Sequence, residues 1–226
     1  MQRLKFGEKK PGHGEAVFTA IMTESVQPWE FHYVKRVAPI KCPSMIIISR
    51  WDGARGFPGG FIDSGESIRD AAVRETMEEI GVEVDPDRLE DGYTFFNNIS
   101  VHLVKLIVDE REFLEILQSA WIHSSAVLGD IISRKFYPEA PLLFDDMRDV
   151  NFFTEVNGVE AVYVTEIDTA KCFPRFLKSP FPPTMIEQMA LLCRDHKWGD
   201  EETMIRWFAE GGHDYLSLIA EDTAPE

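Results

Sequence analysis

Between Gly60 and Val82 the chain places seven residues at set offsets. Gly60 is followed after five residues by Glu66, and after seven more by Arg74-Glu75-Thr76-Met77-Glu78-Glu79-Ile80-Gly81-Val82. Each of these residue types makes up roughly 5–8% of ordinary sequence, so a chance match in one window is on the order of one in 10^8. The local chemistry spells loop, helix, stop. Asp63-Ser64-Gly65 reads as a loop, and Ser67 with Asp70 resembles a capping box in which Asp replaces the usual Glu or Gln. The helix runs to about Ile80, and Gly81 stops it.

On that helix Glu75, Glu78 and Glu79 share one side with the small Ala71 and Ala72, while Val73, Met77 and Ile80 are expected to pack on another. Arg74 reaches Glu78 four residues on. Three crowded carboxylates repel one another unless a cation fills the space between them. Mg2+, which prefers oxygen ligands and bridges to phosphates, is the natural candidate. The competing reading of the same letters is a solvated acidic helix face.

The spacing matches the signature of the Nudix hydrolases, and the chain is identified as resembling that superfamily. Thr76 departs from it, standing where the family prefers a bulky aliphatic residue. A stretch ahead of the helix, Arg50-Trp51-Asp52-Gly53-Ala54-Arg55-Gly56-Phe57-Pro58-Gly59-Gly60-Phe61-Ile62-Asp63, is similar to one branch, the nuclear snoRNA-decapping enzymes that also hydrolyse inosine and deoxyinosine diphosphates. Val101-His102-Leu103-Val104-Lys105, Gly158-Val159-Glu160-Ala161-Val162 and Phe173-Pro174-Arg175-Phe176-Leu177, with Glu187-Gln188 later, resemble other segments of that branch.

The resemblance implies Mg2+-dependent hydrolysis of a phosphoanhydride in a nucleoside diphosphate-linked, purine-type substrate, with Mn2+ as a substitute metal. RNA cap hydrolysis and a non-catalytic nucleotide- or RNA-binding module are the alternatives. It implies Glu75, Glu78 and Glu79 as catalytic residues and metal ligands, with Gly59 as an extra ligand through its carbonyl. Glu160 is a second candidate for base or ligand, against the alternative of a surface strand glutamate. Gly60, Glu66, Arg74 and Gly81 hold the frame. Arg50 and Arg55 flank the glycine loop and can contact phosphate; solvated loop arginines are the alternative. Phe57 and Phe61 stack on a base or pack. Phe18 falls where the branch has a base-contacting histidine, and it either stacks or belongs to the core. His102 reads as a hydrogen-bonded structural histidine.

The rest of the chain predicts an α/β fold, a Nudix-type α/β/α sandwich with a mixed central sheet, in one domain over residues 1–226. Strands are expected over residues 16–22, 30–37, 44–50, 93–96, 99–108 and 159–166, with a hairpin at Asn97-Asn98 and a break at Asp85-Pro86-Asp87. Residues 112–132 have helical spacing, and residues 112–157 read as an insertion that ends in a mixed loop. Helices are expected over residues 184–193 and 201–210 within a C-terminal region of 184–219, and the tail from 221 reads as disordered.

A net charge of −16 disfavours a long basic footprint on nucleic acid and points to a compact substrate or the end of an RNA. Lys35, Arg36, Arg134 and Lys135 are candidates for a local basic patch. No apolar run approaches the ~20 residues of a membrane span. The scattered Cys42, Cys172 and Cys193 read as buried reduced thiols, and with the N-terminus they predict a soluble cytoplasmic or nuclear protein. A homodimer is left open.

Overall fold

The computed structural model describes residues 2–28, 41–50, 52–136, 156–166 and 172–220, with the side chains of residues 128–136 left aside. The expected strand over 30–37, the loop that ends the 112–157 stretch, the tail from 221 and the side chains of Lys35, Arg36, Arg134 and Lys135 lie outside the described residues.

The elements, in order, are β1 (Gln2–Leu4), β2 (Glu15–Val26), β3 (Cys42–Arg50), β4 (Arg55–Gly56), β5 (Gly59–Phe61), α1 (Ile68–Ile80), a 3₁₀ turn (Pro86–Arg88), β6 (Glu90–Asn97), β7 (Ile99–Ile107), α2 (Glu110–Phe136), β8 (Val156–Tyr163), α3 (Phe173–Phe176), α4 (Met185–Asp195), α5 (Glu201–Glu210) and α6 (Tyr215–Ile219). The sheet runs β1-β6-β7-β2-β3-β4, with β5 paired to β2 and β8 to β3. β2 and β7 are parallel and the other pairs antiparallel, so the sheet is mixed.

β3 explains why the sheet is covered twice. Its run Met45-Ile46-Ile47-Ile48 is apolar without alternation, the pattern of a strand buried on both faces. Ile46 and Ile48 join Ala71, Ala72 and Ile80 of α1 and Phe113, Ile116, Leu117 and Ala120 of α2. Met45 and Ile47 join Phe173, Phe176, Met189, Trp207 and Phe208 from the C-terminal helices. Helices therefore cover both faces, and the α/β/α sandwich is the observed architecture. Phe113, Ile116, Leu117 and Ala120, in the first part of the stretch expected to be an insertion, belong to that core. The last long strand also begins three residues earlier than its sequence suggested. The three cysteines are buried, with no disulfide.

His102 shows how closely this core is packed. Its side chain is fully buried on β7, its Nδ1 lies 2.8 Å from Thr94 Oγ1, and Nε2 lies 3.4 Å from Glu15 Oε1. Burial pulls the imidazole pKa down, against the opposing pull of Glu15. An unfolded histidine titrates near 6.5 and takes up a proton that the folded one refuses. The unfolded state then binds more protons, so stability is complete above about pH 6.5 and falls as pH drops through the lowered folded value. His102→Asn is expected to flatten the loss of stability between about pH 7 and pH 5. Urea midpoints across that range check it; an unchanged slope means that other groups carry the acid lability.

Candidate active site

The helix of the Gly60–Val82 signature forms as its letters demand. Ser67 caps α1 by accepting from the Asp70 amide, and its hydroxyl donates to Asp70 Oδ2 at 2.7 Å. Asp70 thus returns the hydroxyl's bond, where a full capping box would return to the backbone. At the other end Gly81 lies in the left-handed region at φ 67° and donates to the Met77 carbonyl. A Cβ there would also meet the His123 ring at 2.5 Å, so glycine is required twice.

The helix packs by its carboxylate side. Ala71, Ala72, Glu75, Thr76, Glu79 and Ile80 are its buried residues. Met77, expected to pack, is 50% exposed. The buried arc centres on Ala72 and Glu79, and Met77 lies about 140° around from Ala72 at 100° per residue. Small side chains let the helix approach the sheet closely. Thr76 suits that approach, since its hydroxyl donates to the Ala72 carbonyl at 2.7 Å and no bulk is added.

This packing drives two glutamates against the glycine strand β5. Glu75 and Glu79 are each 8% exposed. The Gly59 amide donates to Glu79 Oε2 at 2.7 Å. A Cβ on Gly60 would lie 2.5 Å from Glu75 Oε1, and a Cβ on Gly59 would lie 2.1 Å from the Val17 carbonyl. Gly60 is therefore the space in which the Glu75 carboxylate sits, and Gly59 lets β5 lie directly against β2.

Arg74 is the organiser. Its Nε and Nη2 each donate to Glu66 at 3.0 Å, one to each carboxylate oxygen. Nη1 donates to Glu75 Oε1 at 2.8 Å and Glu78 Oε2 at 3.2 Å, and Nη2 also donates to the Phe61 carbonyl at 2.9 Å. The Glu66 bond is the main cause that pushes the guanidinium pKa further up, and the same bond holds the Glu66 carboxyl below its usual range. Arg74→Ala removes this clamp while leaving four carboxylates crowded. A loss of about 2 kcal/mol is expected, the scale of hydrogen bonds to charged groups. Chemical denaturation measures it, and a midpoint unchanged from wild type would show that the clamp carries no stability.

Three glutamates, Glu66, Glu75 and Glu78, gather on the Arg74 guanidinium, and Glu79 lies on the same side of the helix. All donors are carboxylate oxygens, which suits a hard divalent cation. The side chains face different partners, however: Glu75 and Glu78 face Arg74, and Glu79 faces Gly59. Among the described residues no group of three or more acidic, His or Cys side chains converges to hold a metal. The donor set expected from the sequence is thus present on one helix face but is not gathered around one point.

The other expected residues divide. Phe57 is 1% exposed inside the second core cluster, so its expected stacking role gives way to packing. Phe61 is 65% exposed. Phe18 is half-buried against the second cluster, with its backbone paired to Gly59. Arg50 lies at the end of β3, its Nε 3.5 Å from Asp52 Oδ2.

Glu160 is set apart from the cluster. Alternation along β8 puts it on the face of Ile47 and Val162, away from α1, and Arg55 Nε lies 3.1 Å from its Oε1. Arg55 also donates to Ser179 at 3.2 Å, so it is a partnered arginine rather than a solvated one. Sequence reading missed this bridge because β4, β3 and β8 meet side by side only in the folded sheet. It also missed Thr184, a β-branched residue at φ 75°, whose hydroxyl accepts from buried Gln188 at 3.1 Å.

The family model of the NUDIX domain matches residues 30–140, which contain the glycine strand, α1 and the whole of α2. Over these residues the chain is similar to the Nudix superfamily. It is 29% identical over 97 residues to a U8 snoRNA-decapping enzyme of Homalodisca vitripennis, covering 39% of this chain and 52% of that protein. The chain thus spans about half the length of this curated relative. Similar solved structures include a mutT/nudix family protein from Listeria innocua, at 16% identity and TM-score 0.45, covering 83% of this chain and 94% of that one. A MutT/nudix family protein from Enterococcus faecalis has 15% identity and TM-score 0.38, covering 71% and 47%. No helix among the described residues is long and apolar enough to cross a membrane.

Proposed function

We propose that this chain hydrolyses a phosphoanhydride bond in a nucleoside diphosphate-linked substrate, a purine nucleotide in the first instance, with a divalent cation. The observation that carries the reading is the lodging of Glu75 and Glu79 against Gly60 and Gly59, nearly buried, with Arg74 clamping Glu66, Glu75 and Glu78. Carboxylate oxygens crowded on one helix side suit a hard divalent cation that bridges to phosphate.

Glu75, Glu78 and Glu79 would hold Mg2+ or Mn2+, which when bound supplies charge neutralisation of phosphate and activation of water. Holding it requires Glu75 and Glu78 to turn from Arg74. This chain's own residues then have simple tasks. Arg74 and Glu66 keep the helix face in register with the glycine strand. The Gly59 amide orients Glu79, and a carboxylate in that crowd is suited to take a proton from water. Arg50 would meet phosphate, and Phe18 or Phe61 would meet a base. Glu160 lies on the other face and is assigned no step.

A larger substrate with the same bond, a capped RNA end, is the second reading, supported by the similarity to the decapping enzyme. A panel of nucleoside di- and triphosphates, dinucleotides, ADP-ribose and capped RNA, with Mg2+ or Mn2+, tests both. Metal-dependent release of phosphate or a nucleotide from at least one member is expected. Silence across the panel, with folded protein, would refute the enzymatic reading.

A further inference from the structure

The first thirteen residues contrast with the rest of the molecule. Arg3, Lys5, Lys9 and Lys10 face one acid, Glu8, in a chain whose net charge is −16. The loop between β1 and β2 that carries these lysines is fixed in place. The Gly7 amide donates to Thr94 Oγ1 at 3.0 Å and the Lys10 amide to Ser100 Oγ at 3.3 Å. The Ser100 amide donates to the Gly14 carbonyl at 2.9 Å, and His13 Nδ1 donates to the Asn98 carbonyl at 2.9 Å.

The loop runs directly to the candidate active site. It enters β2 at Glu15, whose carbonyl accepts from the Ile62 amide at 3.0 Å, and Ala16 pairs with Phe61. Phe61 is two residues along β5 from Gly59, roughly 7 Å at the usual strand rise. Its carbonyl is held by Arg74 while its ring stands 65% exposed beside Gly14. His13 packs edge-on against Phe96, with ring centroids 5.0 Å apart. Lys9 pairs with Glu15 at 3.0 Å and Lys10 with Glu8 at 3.7 Å, the first with its lysine side chain 65% exposed. Pairs of this exposed kind hold weakly and exchange readily for phosphate. The glutamates are the groups that oppose an anion here.

A strip of exposed cations that ends on an exposed aromatic ring is the arrangement that binds single-stranded nucleic acid: charges track the backbone and the ring takes a base. We infer that residues 5–13 and the Phe61 ring form the path of a single-stranded polynucleotide chain whose end lies at the glycine strand. The inference rests on the proposed phosphoanhydride hydrolysis and extends it, giving the site a substrate with a chain attached as well as a free nucleotide.

The test uses the full chain and a triple variant, Lys5→Gln, Lys9→Gln and Lys10→Gln, with circular dichroism to confirm folding. Anisotropy of a 3′-labelled single-stranded RNA oligonucleotide is followed against salt, with DNA of the same sequence as a second arm. Neutralising three phosphate contacts is expected to lower the slope of log affinity against log salt by about 2. Hydrolysis of RNA with the same bond at its end falls at least tenfold, and hydrolysis of the free nucleotide stays within twofold. An unchanged salt slope, no RNA binding by wild type at low salt, or an equal fall for both substrates overturns the inference. If RNA binding depends on the lysines but no nucleotide is hydrolysed, the catalytic reading fails and the surface stands. If hydrolysis is present and the slope does not move, the surface fails and the catalytic reading stands.

Discussion

Glu79→Gln is expected to lower turnover by about 10²–10⁴ while leaving the fold intact, the scale of losing a charged catalytic group. The substitution suits the site because glutamine keeps an oxygen to accept from the Gly59 amide, now 2.7 Å from the carboxylate. Volume and the backbone bond are preserved; charge and basicity go. Steady-state rates on whichever panel member is hydrolysed measure the effect, with denaturation midpoints run beside them. Wild-type turnover from a stable variant would remove Glu79 from the chemistry. The control is Glu78→Gln. That side chain is 59% exposed and faces Arg74, so a smaller loss is expected.

Adjacent glycines should fail in opposite ways. Gly59 has φ 151° and would put a Cβ 2.1 Å from the Val17 carbonyl and 2.7 Å from Phe18 Cα. Both obstacles are backbone, so Gly59→Ala has nowhere to yield. Strain at an unfavourable φ and overpacking each cost about 1–3 kcal/mol, and the sum of roughly 2–6 is a large part of a domain's stability. Loss of soluble folded protein, or a much lower denaturation midpoint, is the expected result. Gly60→Ala meets only the end of the Glu75 side chain, at 2.5 Å. The carboxylate gives way, so stability changes by about 1 kcal/mol or less. A displacement near 1 Å at a catalytic group costs on the order of 10²-fold in rate. A Gly60→Ala protein with normal turnover would show that the position of Glu75 does not matter.

The helix, its caps and its stop were legible because they are written in neighbouring residues: Ser67 with Asp70, and Gly81 after Ile80. The hairpin at Asn98 was legible for the same reason, and its φ of 64° fits asparagine. The packing side of α1 was legible in part: Val73 and Ile80 pack as expected and Met77 does not. Periodicity identifies two sides of a helix, but here the charged side carries the small residues, and closeness to the sheet mattered more than hydrophobicity. That left Met77 outside. The Arg55–Glu160 bridge was illegible because cross-strand neighbours depend on strand order, which no local spacing encodes. Phe57 was ambiguous for a similar reason: its burial depends on Met189 and its neighbours, more than a hundred residues away. The lysine-rich loop shows the reverse case. Its composition was visible from the start, but its significance appeared only when the register set Phe61 beside it.

The parallel pairing of β2 with β7 also has a kinetic consequence. Val17 lies beside His102 and Ile21 beside Leu106, partners some eighty-five residues apart along the chain. A chain emerging from the ribosome completes the whole signature helix before β7, the parallel neighbour of β2, exists. Such non-local closure makes folding slow and leaves an apolar edge unpaired during synthesis. Refolding on the scale of milliseconds to seconds, and aggregation of truncations that end soon after α1, are what this topology imposes.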